Sequence, residues 1–302
     1  MNKLKIISVM VLFGFFQASQ AEEAQNCLPP DAPLPANWTE PYEAHRVIGN
    51  LYAVGGAGLS AYLVTSEEGH ILINTGLADS TPWMRKNIAS LGFDIKDVKV
   101  LLTTQAHFDH TAALAEIKQL TGAKMLATPD DARVLVDGGR SDAHFGQCLD
   151  LRFEPILVDG ELAHGQVISL GTTRLKTHHH PGHTEGSSSF SMTVTENGRD
   201  YFVLIANMAS INDGKKLLNE PTYSGVADDF ALTFSRQMAL PVDVWVASHG
   251  GQYDLASKHK PGQAYSPEAF VDPIGFQKEV ARFGAVVSDA TRQRKITQRK
   301  VR

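Results

Sequence analysis

Apolar residues in the first half of the chain fall into short runs cut by glycine-containing turns. The stretches "NLYAVGG", "SAYLVTS" and "GHILINTG", residues 50–56, 60–66 and 69–76, read as successive antiparallel strands. The period then changes. In "TPWMRKNIASLG" Thr81 is placed to cap a helix, with Pro82 at its first position and Gly92 as its stop. "DVKVLLTT" is a nearly continuous apolar run, which predicts a strand buried on both faces. Leu114, Ile117 and Leu120 recur at helical spacing before Gly122, and "AKMLATPDDARVLVDGG" reads as strand, cap and helix.

The second half repeats this grammar more loosely. "GQVISLG", "TRLKTHHH", "SSSFSMTV" and "YFVLIAN" read as strands, "DDFALTFSRQMAL" as a helix and "PVDVWVASHG" as another buried strand. From about Pro273 the chain reads as helical and ends in a basic, solvated tail, "RQRKITQRKVR". Two halves of strand-rich blocks with interspersed helices predict an α/β fold, two sheets packed face to face with helices outside. No linker divides it, so residues 22–302 are expected to form a single domain, which a Pro-rich arm, "CLPPDAPLPANW", enters over the surface.

Composition changes this picture mainly at the N-terminus. The 302 residues are 43% hydrophobic and 20% charged, an ordinary globular balance. Lys3 and Lys5 precede an apolar run from Ile6 to Phe16, with small residues at Ser19 and Ala21. That is the form of a secretory signal peptide, residues 1–21, and it predicts a periplasmic or secreted protein. The run is too short to span roughly 30 Å of hydrocarbon, so no stable membrane insertion is expected after cleavage. Ala-Gln-Asn precedes Cys27, which is no lipoprotein motif. Loss of Lys3 and Lys5 with that segment takes the formal charge from −5 to −7, which gives no reason to expect a nucleic-acid partner. Cys27 and Cys148 are the only cysteines; an oxidising compartment permits a disulfide, and two unpaired thiols fit the sequence equally.

Candidate chemistry collects immediately after apolar strands. Gln105, His107, Asp109 and His110 follow "VKVLLTT", His183 lies in "HHHPGHTEGSSS", Asn207 follows "YFVLIA" and His249 follows "VDVWVAS". Convergence at one sheet edge would make a ligand site. In a tight strand-to-helix loop residues 107 and 109 can face one way and 110 another, so one loop can serve two adjacent ions; imidazole and carboxylate suit zinc. The plainer alternative, polar loop residues capping a helix that starts near Thr111, leaves the later Gly-flanked histidines unexplained.

With these residues in view, the chain resembles the metallo-β-lactamase superfamily from roughly His45 to Pro273. "TTQAHFDH", "PGHTEGS" and "ASHGGQYDL", with no cysteine near Asn207, are similar to the third subclass of class B β-lactamases. "LLTTQAHFDHTAAL", "VLIANMAS" and "SKHKPG" resemble its GOB-like group, which also carries glutamine first. The resemblance implies an αββα sandwich and two zinc ions, the first held by Gln105, His107 and His183 and the second by Asp109, His110 and His249. It implies attack of a metal-activated water on the β-lactam amide of penicillins, cephalosporins and carbapenems, with Asp109 orienting the nucleophile.

Two departures from the subclass matter. An amide oxygen at Gln105 is a weaker donor to zinc than imidazole, which predicts a weaker first site. Met208 stands where many relatives have serine; its thioether is a poor zinc ligand, and Ser210 is the candidate for contacting the substrate carboxylate. Asn74-Thr75-Gly76 corresponds to a turn beside the metals and is read as support for the ligands. His178, His179 and His180 alternate along a strand and are read as hydrogen-bonded in or near the core. His45, His70, His144, His164 and His259 are read as structural or exposed. "GLSAYLV", residues 58–64, is expected near the mouth of the site, with Phe108 lining it or simply packing. The same scaffold also carries lactone, thioester and phosphodiester hydrolysis, and an exported zinc-binding protein without catalysis is a further alternative.

Overall fold

A computed structural model describes residues 24–28 and 34–301, the residues from 292 onward as backbone only. The signal-peptide reading of residues 1–21 lies outside the described residues. The elements, in chain order, are α1 (Ala36–Thr39), β1 (His45–Ile48), β2 (Leu51–Ala53), β3 (Tyr62–Ser66), β4 (Gly69–Ile73), α2 (Thr81–Ser90), β5 (Val98–Leu102), α3 (Phe108–Thr111), α4 (Leu114–Thr121), β6 (Lys124–Ala127), α5 (Pro129–Val136) and β7 (Gly160–Glu161). They continue with β8 (Val167–Leu170), β9 (Thr173–His179), β10 (Ser188–Glu196), β11 (Arg199–Ala206), α6 (Val226–Met238), β12 (Val244–Ala247), α7 (Leu255–Lys258) and α8 (Pro273–Val301).

β1 to β7 form one sheet in sequential order and the other runs β12-β11-β10-β9-β8. Both are mixed: β1 to β4 pair antiparallel and β4 to β7 parallel, while β12 lies parallel to β11 and the rest of its sheet is antiparallel. The expected sandwich is present.

Strand alternation sorts side chains between layers. Tyr62, Val64, Ile71, Ile73 and Leu102 point between the sheets, where they meet Leu175, Phe190, Val203 and Ile205. Leu63, Leu72 and Leu101 point outward under Met84, Ile88, Leu114, Ile117 and Leu135 of α2, α4 and α5. α8 covers the second sheet through Phe276, Val280 and Phe283, and meets α6 where Val287 packs with Val226 and Phe230.

Local differences from the sequence reading have physical reasons. β5 is fully buried at Val98, Leu101 and Leu102, while Lys99 is exposed and Val100 half-buried, so the strand is not enclosed on both faces along its whole length. The N-cap of α2 is Ser80, and the Thr81 hydroxyl donates to Glu116 in α4 at 2.6 Å. The basic tail is backbone helix to Val301 where a frayed terminus was expected; past Gly284 no glycine or proline interrupts it. Cys27 and Cys148, left open by sequence, form a disulfide closing a span of 121 residues. Among the described residues no helix is long and apolar enough to cross a membrane.

Buried bonds join the two sheets close to the ends of β5 and β12. The Tyr62 hydroxyl donates to the Ala247 carbonyl at 2.6 Å, Ser60 N to Ser248 O at 2.9 Å and Ser188 N to Thr104 O at 2.8 Å. Removing one such donor leaves a buried carbonyl unsatisfied. Tyr62→Phe is therefore expected to lower unfolding stability by about 1–3 kcal/mol with the fold intact, measured by urea denaturation.

Candidate metal centre

At the end of β5 the backbone leaves the sheet through Thr103 to His107 and enters the single turn of α3. Asn74, in the left-handed region at φ 63°, organises this exit: its Oδ1 accepts from Thr104 N at 2.8 Å and from the Thr104 hydroxyl at 3.1 Å. Thr75 N donates to the His110 carbonyl at 2.8 Å. The Asn74-Thr75-Gly76 turn thus holds the ligand loop from beneath, as its sequence position suggested. His107 is extended and caps α3, its carbonyl accepting from His110 N at 3.0 Å. An extended residue followed by a helical turn sends His107, Asp109 and His110 in different directions.

One triad is assembled tightly. The ligand atoms of Asp109, His110 and His249 lie within 4.8 Å of one another. His110 Nε2 stands 3.2 Å from His249 Nε2 and 3.1 Å from Asp109 Oδ2, while His249 Nε2 is 3.5 Å from the same oxygen. Burial pushes the Asp109 carboxyl up, but the adjoining His110, His249 and His107 rings outweigh it and hold it below the usual carboxylate range. Burial, reinforced by His110, lowers the His249 pKa to about 4. A carboxylate and a neutral imidazole are the protonation states a zinc ion requires.

The second cluster is Gln105, His107 and His183. The rings of His107 and His183 are 4.9 Å apart, edge to face. His183 Nδ1 is engaged by the Ser210 carbonyl at 2.8 Å and the Ser210 hydroxyl at 3.1 Å, which leaves Nε2 for a metal. His107 Nε2 faces Asp142 Oδ2 at 3.4 Å, which leaves Nδ1. Gln105 Oε1 is enclosed and has no hydrogen-bond partner. A buried carbonyl oxygen without a donor is costly, and a cation would satisfy it. Both triads fit zinc by donor type.

Residues 54–195 match the metallo-beta-lactamase superfamily. Over 86% of this chain and 98% of the other, the fold superposes with a TM-score of 0.83 at 44% identity on LRA-12, a class B3 di-zinc metallo-beta-lactamase from an Alaskan soil metagenome. The metallo-beta-lactamase GOB-18 from Elizabethkingia meningoseptica matches at 39% identity and TM-score 0.84, over 90% of this chain and 99% of its own. BJP-1, a subclass B3 enzyme of Bradyrhizobium japonicum, matches at 31% and 0.79, over 87% and 98%. The chain belongs to the class B3 metallo-β-lactamases.

In this metallo-β-lactamase the other residues singled out by sequence fall into place around the triads. Met208 is buried in the main apolar core. Asn207 is buried, with its backbone N donating to Ser189 and its carbonyl accepting from Gln237. His178, His179 and His180 bond Ser191, the Glu185 carbonyl and Ser189. His45 and His259 stack at 3.7 Å, His70 packs on Phe93 and His164 is exposed. The 58–64 segment does reach the site, since Leu59 bridges His249. Phe108 packs on the outer core and faces Trp38 at 6.4 Å.

Two residues, Trp38 and Asp142, were missed by sequence. Trp38, on the arm, lies 5.6 Å from the His249 ring. Asp142 pairs with His107, and nearby His144, read as structural or exposed, bonds the Asp213 carbonyl at 3.0 Å in the segment that carries Ser210. Neither Trp38 nor Asp142 follows an apolar strand, so the strand-end pattern had no hold on them. A cleft of about 830 Å³ opens at the opposite end of the sandwich, among Thr65, Glu67, Arg174 and Thr193, with no histidine in its lining.

Behind the first triad lies Asp131 of α5, a buried carboxyl whose Oδ1 has no partner. Gly186 is pressed against it: a Cβ there would lie 2.3 Å from Asp131 N. Burial raises the Asp131 pKa from 3.8 to about 7, with Asp142 adding and Thr184, His107 and the Gly186 amide opposing. The native state therefore keeps a proton that the unfolded chain has already lost. The stability this contributes is fully present below about pH 4 and is lost as pH rises through about 7. Asp131→Asn is expected to gain stability relative to the parent between pH 5 and pH 8, read by denaturant unfolding of zinc-free protein. An offset that does not change with pH would contradict this.

Proposed function

We propose that this chain is an exported zinc β-lactamase that hydrolyses the amide of penicillins, cephalosporins and carbapenems. The observation that carries the reading is the convergence of Asp109, His110 and His249 ligand atoms within 4.8 Å, beside the enclosed, unpartnered Gln105 oxygen. Two ions are expected, the first on Gln105, His107 and His183 and the second on Asp109, His110 and His249. The kinship with di-zinc class B3 enzymes supports that count. Export follows from the signal-peptide pattern of residues 1–21 and accords with the disulfide.

Zinc, when held there, supplies Lewis acidity to an attacking water and to the amide carbonyl alike. The chain's own residues supply position and charge. Asp109, ionised beside two imidazoles, accepts a hydrogen bond from the attacking water and directs its lone pair at the carbonyl carbon. Seating the substrate at the mouth falls to Trp38 and Phe108, which offer an apolar wall next to His249. Ser210 is assigned to the substrate carboxylate; its hydroxyl already contacts His183 Nδ1, so it would serve ligand and substrate together. Gln105 brings no charge and a weaker donor, so the first ion is held less tightly than the second.

Purified protein with added zinc is expected to open nitrocefin, penicillin and meropenem, and to leave an acyl-homoserine lactone and a phosphodiester untouched. Asp109→Asn is expected to lower kcat/KM for meropenem by roughly 10²-fold or more. Unchanged turnover in that variant, or faster cleavage of either control, would overturn the reading. Gln105→His is expected to tighten the weaker of two zinc-binding steps; loss of the His110/His249 ion first on graded chelation of the parent would refute the order of affinities.

A further inference from the structure

We propose that Asp142 is a positioning residue for the first metal ion, and that the Cys27–Cys148 disulfide holds the loop that presents it. The inference rests on the two-zinc reading above. The Asp142 side chain is only 8% exposed, and its Oδ2 stands 3.4 Å from His107 Nε2. Its Oδ1 accepts from His144 N at 2.8 Å and Phe145 N at 2.6 Å, so the carboxylate is aimed by its own turn. A carboxylate on the far nitrogen of a ligating histidine fixes the tautomer and the ring orientation. The Phe145 ring packs edge-on against His107 at 5.1 Å and restricts the imidazole from the side.

The same loop reaches the other histidine of the first triad. His144 Nε2 pairs with the Asp213 carbonyl at 3.0 Å, in the segment whose Ser210 engages His183 Nδ1 and whose Lys215 donates to the His183 carbonyl at 2.7 Å. At its far end the loop is clamped. Gly146 N donates to Asp142 O at 3.0 Å and Cys148 N to Phe145 O at 2.8 Å, so a displacement of Cys148 is passed back to Asp142. Cys148 is fixed to Cys27, whose neighbours complete the clamp: Gln25 N donates to Gln147 O, Leu149 N to Gln25 O, and Cys27 N and Leu28 N to the Asp150 carboxylate. Residues 142–150 therefore behave as one unit tied to residues 25–28.

The other triad is built differently. His110 is held through its carbonyl by Thr75, and His249 by its bridge to Leu59 and by Gly250 N, which donates to the Gly58 carbonyl at 3.3 Å. Neither anchor belongs to the clamped loop. Loss of the clamp is thus expected to loosen one ion and spare the other.

The test is competition of holoprotein against a chromophoric chelator, with zinc as the probe and two stepwise dissociation constants as the readout. Cobalt(II) absorption of the first site reports ligand geometry independently of turnover. In Asp142→Ala the weaker step is expected to weaken about 10–100-fold while the tighter step holds. Asp142→Asn, which retains an oxygen acceptor for His107, is expected to recover much of that loss. Cys27→Ala/Cys148→Ala is expected to move the same step in the same direction, and to be less than additive with Asp142→Ala because the two act on one ring. A folded Asp142→Ala protein with both constants unchanged, or with both weakened equally, would overturn the role of Asp142. A disulfide-free protein whose first-site cobalt spectrum matches the parent would overturn the role of the clamp. If the disulfide-free protein does not fold, the two Asp142 variants decide alone. Parent protein that binds a single zinc fails the two-ion reading instead, before any variant is compared.

Discussion

Two imidazoles and a carboxylate held within 4.8 Å of one another form an arrangement that hydrogen bonds alone cannot satisfy, and the fold is organised to keep it. His110 arrives from the first sheet and His249 from the second, so their separation is set by how the sheets are registered against each other. That register is fixed near the site by direct bonds. Thr104 and Ser248 share a hydroxyl contact at 2.8 Å, Ser188 N donates to Thr104 O, and Tyr62 donates to the Ala247 carbonyl. The apolar interior holds the layers together, while these bonds decide how far one may slide. A ridged, close-packed core resists such sliding because each displacement opens gaps on one side and clashes on the other.

Holding ligands in this way has a cost that the rest of the molecule must offset. Gln105 Oε1, His110 Nδ1 and Asp131 Oδ1 are enclosed without hydrogen-bond partners, and Asp109 is an ionised group with little water around it. Each such group opposes folding when no cation is bound. Burial of side chains between the sheets and beneath α2, α4 and α5 supplies the compensation. Binding of a cation to the native state alone would return the cost as stability. Affinity for metal and stability of the fold are then two views of the same free energy.

The layers were legible in the chain because strand alternation and helical spacing are local. Tyr62, Leu63 and Val64 already declare two faces, and Gly92 and Gly122 end their helices where expected. The ligand loops were legible for a related reason: polar residues after a buried strand must emerge at a sheet end, so Gln105, His183 and His249 could be tied to one edge. What escaped was whatever depends on distant segments meeting. Asp142 follows no strand, Trp38 sits on an arm whose path is set by contacts, and the pairing of Cys27 with Cys148 required the arm to lie along residues 147–150. The cap of α2 shifted by one residue for a similar reason, since Thr81 is taken by Glu116 from another helix.

The glutamine at position 105 looks different once Asp142 is counted. Gln105, His107 and His183 carry no formal charge between them, whereas the other triad includes the Asp109 carboxylate. A dication bound to three neutral donors lacks a nearby negative charge, and a low-dielectric surrounding makes that lack expensive. Asp142 stands behind His107 at 3.4 Å, ionised although buried: burial opposes the charge, and the adjoining His107 ring, with the amides of Phe145 and His144, outweighs it. On the two-ion reading, the negative charge missing from the ligand atoms is supplied by this carboxylate on the far side of the His107 ring. On the proposed two-ion reading, the neutral donor at 105 is offset by the carboxylate that the loop clamped by Cys148 brings to His107.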